Sequence, residues 1–253
     1  MAIVKRVRTQ RSLPMQGYEE IFNQRGKSYH LAMEKYPHAR DEEFYAAIKR
    51  LQQRSGSVIL DLPAGGGYLK QHLRTGVNYL AYDFSGEFND NHAGIKKCKE
   101  SKVDLQDESV DEIVSLAALH HIVARREFYS EMHRVLKPGG QLIIGDAVKD
   151  SKLDSFLNGF LDRWNSMGHH GNFIKSEDLM EMKQAGFQVE MKVDEYYWNF
   201  NTQKEAIDFF RLLFCLDLNP PDHEVVKEFD LLGIKMDHGF SVSWSLGFVV
   251  CTK

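Results

Sequence analysis

Cysteine is scarce and poorly spaced for joint work. Cys98, Cys215 and Cys251 are the whole complement of a 253-residue chain. There is no Cys-x-x-Cys pair, so neither a disulfide frame nor a zinc site is indicated. That usage fits a reduced, cytoplasmic compartment. No apolar run approaches the ~18 residues of a membrane span. The basic N-terminus lacks the apolar stretch of a secretory leader, so no membrane partner and no export are expected. A basic surplus is missing too: 32 lysines and arginines face 36 acids, a net charge of −4. That argues against a general nucleic-acid binder and leaves room for a local basic patch. No internal repeat or low-complexity tract is present. What remains is 43% apolar residues, enough for one substantial core, and α/β folds often use this length as one unit.

The stretch Val58-Ile59-Leu60-Asp61-Leu62-Pro63-Ala64-Gly65-Gly66-Gly67 opens as a short apolar run rich in β-branched residues. It reads as a buried strand. It ends in three glycines and enters Tyr68 to Leu73, which has helical spacing. Glycines let a ligand approach the backbone, and the free N–H groups of a helix start favour polar or anionic groups. Asp83 closes the next apolar run, 22 positions after Asp61. A carboxylate there can accept hydrogen bonds from both hydroxyls of a ribose.

The segment Asp61 to Gly67 resembles the acidic, glycine-rich loop of class I S-adenosylmethionine-dependent methyltransferases. Gly65 and Gly67 match that pattern, and Pro63 replaces its first glycine. Proline has no N–H and fixes φ near −65°, so no donor is available there. The string Glu131-Met132-His133-Arg134-Val135-Leu136-Lys137-Pro138-Gly139-Gly140 is similar nearly letter for letter to a signature of the same family. Physically it is a helix stopped by a proline-glycine turn. The resemblance covers residues 55 to 190 firmly and the ends loosely.

The resemblance implies an α/β fold: a doubly wound, mostly parallel seven-stranded sheet with an antiparallel last strand and a helical cap. On that basis residues 1–54 form an N-terminal arm and cap helices, and 55–197 the core. Residues 198–239 are a helical cap insert, and 240–253 the final strand. The basic residues of 1–14 read as a solvated arm. Helical spacing runs over 18–36, interrupted by Gly26, then over 39–53. Lys102 to Leu105 reads as the third strand, with 86–97 as a loop and weak helix. Further helices are expected over 151–170, 176–185, 206–216 and 222–232, and strands over 187–197 and 240–252.

The resemblance also assigns the cofactor, S-adenosylmethionine. Asp61, Pro63, Ala64, Gly65 and Gly67 would form its loop, Asp83 would take the ribose and Phe84 the adenine face. Asp104 and Leu105 would meet the adenine edge, and Leu116 and Ala117 the methionyl part. Arg25, Tyr29, Tyr36 and Arg40, on helices that close the site in that family, are candidates for the methionyl carboxylate or the substrate. Arginine suits a carboxylate because its fork is bidentate. Tyr29, Tyr197 and Trp198 would face a small-molecule substrate, since aromatic faces hold cations. His120, His121 and Asp146 are candidates for a general base. Adjacent histidines cannot both face one ligand from a helix or strand, so no metal pair is expected. The implied activity is methyl transfer to an oxygen, nitrogen or carbon of a small molecule. Cyclisation of the cofactor's aminobutyrate chain, RNA methylation and non-catalytic cofactor binding remain alternatives.

Overall fold

The chain was analysed as a computed structural model, which describes residues 17–88 and 94–253. The basic arm expected at 1–14 lies outside them. The apolar runs form β1 (Val58–Asp61), β2 (Asn78–Asp83), β4 (Val110–Leu116) and β5 (Leu136–Asp146). With β3 (Ile95–Lys97) they make a parallel set. β8 (Phe240–Thr252) runs antiparallel between β5 and β6 (Gln188–Phe200). The order is β3-β2-β1-β4-β5-β8-β6, and the two-residue β7 (Ile234–Lys235) pairs with β8 beside that path. The expected seven-stranded, mostly parallel sheet is therefore the observed one, with one short extra pairing.

Two expectations along the parallel strands and their turns differ. The third strand lies at Ile95–Lys97, not at 102–105. Around Val103 the backbone is satisfied by side chains of α3 (Arg125–Val135) instead of a neighbouring strand. Glu131 accepts from the Val103 N–H, and Arg134 donates to the carbonyls of Val103 and Leu105. That meets the backbone's hydrogen-bonding demand without a ladder. The second difference follows the glycine turn. Tyr68–His72 is a five-residue 3-10 turn, and Leu73 is already extended.

Both faces of the sheet are covered. α3 and α6 (Ser176–Gln184) pack on one face, in a core cluster with Leu60, Ile113 and Ile144. The other face, with Ile59, Val114 and Ile143, meets α2 (Asp41–Ile48), α7 (Gln203–Leu213) and α8 (Asp222–Leu232). It also meets one continuous helical run of α4 (Lys152–Ser155), a π-helical stretch Phe156–Leu161 and α5 (Asp162–Trp164). The 198–239 insert shares this core: Trp198 stacks on Trp244 of β8 at 3.8 Å, and Phe210 packs on Phe229.

α1 (Tyr18–Lys35) contributes to both clusters, with Tyr18 in one and Met33 in the other. It thereby bridges the sheet faces. Gly26 does not interrupt it. A Cβ there would lie 2.6 Å from Glu87 Cγ, so the glycine lets the helix approach the Gly86–Phe88 turn.

Candidate active site

The carboxyl ends of β1, β4 and β5 open into one cleft, beside the point where the strand order reverses. α1 roofs it with Tyr18, Phe22, Arg25 and Tyr29. Trp198, Leu213 and Trp244 close its far wall.

The glycine turn forms one end. The Leu62–Pro63 peptide is cis, and Gly65 and Gly67 take φ of 53° and 73°, conformations that side-chain-bearing residues rarely adopt. Asp61, Pro63, Ala64 and Gly65 line the cleft. Gly67 does not; its N–H returns to Ala64 O and closes the turn. Asp61 Oδ2 accepts from Tyr79 Oη at 2.7 Å. Asp83 is fully buried at the end of β2. It accepts from Gly65 N (2.8 Å), Ser85 N (2.8 Å) and Tyr18 Oη (3.1 Å). Burial pushes both carboxyl groups up to about 7. For Asp61, Tyr79 pulls down and Asp83 pushes further up; for Asp83, the three donors pull down.

The residues fit an adenosyl cofactor. Two carboxyl groups flank a turn in which Gly65 carries no side chain, and its would-be Cβ meets nothing nearer than the Tyr29 ring at 3.7 Å. The Tyr18 hydroxyl occupies one acceptor position of Asp83. Arg40 is buried at this end beside Tyr29. It donates to Tyr29 Oη at 2.6 Å and to Glu43, whose other oxygen accepts from Trp198 Nε1 at 2.8 Å. Burial works against the Arg40 charge, but Glu43 and Tyr29 outweigh it and raise its pKa.

The other end is built from histidines. Leu119–His121 is a 3-10 turn after β4. On it the two neighbouring rings do converge, with centroids 4.0 Å apart, and His169 joins them at 5.5 and 5.1 Å. This corrects the expectation that adjacent histidines must diverge, which holds for a helix or strand but not here. Asp146 accepts from the backbone N–H groups of His120 (3.0 Å) and Ala147 (2.7 Å). It faces His120 Nδ1 at 2.8 Å as an acceptor. That assigns the proton to Nδ1 and leaves Nε2 as the acceptor. His169 Nδ1 lies 3.1 Å from Asn158 Oδ1. Burial lowers the pKa of His121 and His169 well below the usual imidazole value, and neighbouring histidines and Arg25 lower them further.

Several expected residues do not line the cleft, Asp83 among them, since it is fully buried beneath Tyr18. Phe84 sits in the core, edge-on to Tyr18 and Phe128. Asp104 is exposed, its carbonyl accepting from Tyr82 Oη, and Leu105 packs beneath α3. Tyr197 lies on the outer side of β6, because strand alternation turns Tyr196, Trp198 and Phe200 inward. Leu116 and Ala117 do line the cleft, and Ala117 takes φ 52°. Arg25 lines it at the histidine end, donating to Asn165 Oδ1 and Gly168 O at 2.7 Å each. Reasoning from sequence missed Tyr18, Tyr68 and His169. The run Gly168-His169-His170-Gly171 was the available signal for the last, since glycines flanking histidines mark a loop that can present a ring.

Residues 60–144 match a family model described as a methyltransferase domain. The chain is similar to human "Probable tRNA methyltransferase 9B", 29% identical over 145 residues, 54% of this chain and 32% of that protein. It is similar to an uncharacterized methyltransferase of Schizosaccharomyces pombe, 27% identical over 190 residues, 62% of this chain and 66% of that one. The chain thus spans one third to two thirds of these relatives. Its fold is like that of a Thermotoga maritima protein described as a SAM-dependent methyltransferase, possible histamine N-methyltransferase. The TM-score is 0.60 at 18% identity, covering 92% of this chain and 99% of that one. No described helix is long and apolar enough to cross a membrane.

Proposed function

We propose, from the premise that the chain carries a class I S-adenosylmethionine-dependent methyltransferase domain, that it transfers a methyl group to a small-molecule acceptor. One observation carries this reading. A single cleft is lined at one end by Asp61 and the glycine turn, and at the other by the His120–Asp146 pair. The cofactor supplies an electrophilic methyl group. Asp83 and the Gly65 turn hold the ribose, and Asp61, Tyr29 and Arg40 surround the methionyl end. Leu116 and Ala117 support the methyl-bearing part from beneath. His120 Nε2 takes a proton from the acceptor, while Asp146 fixes the ring and stabilises its charged form. Base assistance of this kind contributes roughly 10²–10⁴ in rate, and positioning supplies ~7–11 kcal/mol of the barrier. The enclosed, aromatic lining supports a small acceptor.

The human relative's name favours a second reading, with RNA as acceptor, and the balance of charge is then no argument against nucleic acid. One experiment separates them: mass spectrometry of the purified chain with S-adenosylmethionine, alone, with metabolite extract, and with tRNA. S-adenosylhomocysteine formed with extract supports the first reading, and formed with tRNA the second. Methylthioadenosine formed without either acceptor, above a protein-free control, overturns methyl transfer altogether.

A further inference from the structure

Three arginines are buried among the described residues: Arg25, Arg40 and Arg125. Arg40 pairs with Glu43, and Arg125 with Asp178. Arg25 has no carboxylate within ion-pair distance among the described residues, although it is only 7% exposed. Its Nη2 takes two neutral oxygens, Asn165 Oδ1 and Gly168 O. Its Nε is buried and without a partner, as is Nε of the other two. Asp217 pulls on its charge from a distance but is exposed and bonded to Ser166. Arginine stays charged when buried, and an uncompensated buried charge is costly. Such a charge lining a cleft calls for an anion from outside the chain.

The surroundings agree. No described group hydrogen-bonds the His121 ring, and His169 has only Nδ1 engaged, by Asn158. Both rings are held neutral by burial and by the Arg25 charge. An anion would offset that charge, accept a hydrogen bond from the His121 ring, and favour a second proton on His169 at Nε2, since Asn158 Oδ1 already accepts from its Nδ1. We propose that Arg25, with His121 and His169, forms a subsite for an anionic group of the methyl acceptor, a carboxylate or a phosphate. This rests on reading the cleft as a methyltransferase site. His120 lies against this subsite, its ring 4.0 Å from His121 and 5.5 Å from His169. The acceptor's nucleophile and its anion are therefore a few bonds apart in one compact molecule.

The three histidines also offer nitrogen atoms within 4.8 Å of one another, a candidate metal site. Tetrahedral zinc, with Zn–N near 2.0–2.1 Å, wants those nitrogens about 3.3 Å apart. The nitrogens here fall within 4.8 Å of one another, but the Arg25 cation beside them repels a second cation. The anion is the better occupant.

The test uses the full chain saturated with S-adenosylhomocysteine. Histidine ring resonances are followed by nuclear magnetic resonance during titration with inorganic phosphate, with acetate, and with chloride at matched ionic strength. We expect saturable shifts of the His121 and His169 signals, and the stronger of phosphate and acetate names the anion class. Arg25→Gln weakens that binding about tenfold or more, as loss of a charge-assisted bond requires, and Arg25→Lys keeps part of it. Absence of a saturable shift in the unaltered chain would overturn the subsite. So would Arg25→Gln binding the anion as well as the unaltered chain, or zinc moving the three rings where phosphate and acetate do not. Calorimetry with S-adenosylhomocysteine runs alongside. A chain that fails to bind it loses the methyltransferase reading, whereas one that binds it but ignores the anions loses only the subsite.

Discussion

On the proposed reading, cofactor affinity turns on Asp83. Its carboxyl group is buried and already oriented by Gly65 and Ser85. Hydrogen bonds to a charged group are worth about 1.5–3 kcal/mol each. Asp83→Ala is accordingly expected to weaken S-adenosylhomocysteine binding about tenfold or more by calorimetry; unchanged affinity removes Asp83 from the site. His120→Gln should leave that affinity within about twofold yet lower single-turnover methyl transfer by about 10²–10⁴. An equal loss of binding would make His120 a cofactor contact instead of a base.

At the scale of elements, α1 roofs the cleft, and on the proposed reading it governs access. Tyr18 places its hydroxyl on Asp83, where a ribose hydroxyl would otherwise donate. The helix is fastened by Ser28 to Leu212 O at 2.7 Å, and by Asn23, which accepts from Ser85 Oγ at 2.7 Å. Tyr18→Phe removes the competitor and keeps the ring packed on Phe22 and Phe84. A net hydrogen bond of about 1 kcal/mol makes the expected gain in S-adenosylhomocysteine affinity about fivefold. A loss instead would mean that Tyr18 contributes to the bound state. Part of this was legible beforehand. The 3.6-residue spacing of Tyr18, Ile21, Phe22, Tyr29 and Met33 gave the helix and its buried face, but not which carboxylate its first tyrosine would reach. Asp104 and Leu105 show the converse. They were placed by position in a motif, and α3 side chains drew their backbone away from the cleft.

For the whole molecule, burial of ionisable groups sets the pH profile. Asp61 and Asp83 are raised from 3.8 to about 7. A raised carboxyl pKa means the folded state holds more protons, so stability from these groups falls as pH rises from about 4 through about 7. His121, His169, His72 and His133 are lowered from 6.5. Their contribution is present above 6.5 and is lost as pH falls below it. The two sets oppose each other below pH 6.5, and above it the carboxyl groups act alone. Denaturant midpoints of the unliganded chain should thus fall between pH 6.5 and 7.5 and level off by pH 8. Asp83→Asn should flatten part of that fall. A midpoint that rises across the interval would show both carboxyl groups ionised well below 7. A ribose bound there would donate to Asp83 and so favour its charged form. Cofactor affinity should therefore rise over the same interval.

The linear chain determined most of the core strands and the glycine turn, while the mostly parallel sheet was implied by the family resemblance. Those strands and that turn rest on local periodicity, on short apolar runs and on punctuation by glycine and proline, all of which act between near neighbours. It also named His120, His121 and Asp146, because they follow strand ends. Only the tertiary structure decided that His120 and His121 converge, since a 3-10 turn replaced the helix or strand on which they would diverge. It alone brought in His169 from 48 positions beyond His121, sealed Asp83 under Tyr18, and left Arg25 buried without a carboxylate. These outcomes depend on which distant side chains share one enclosed volume. That is a property of packing, and no local pattern encodes it.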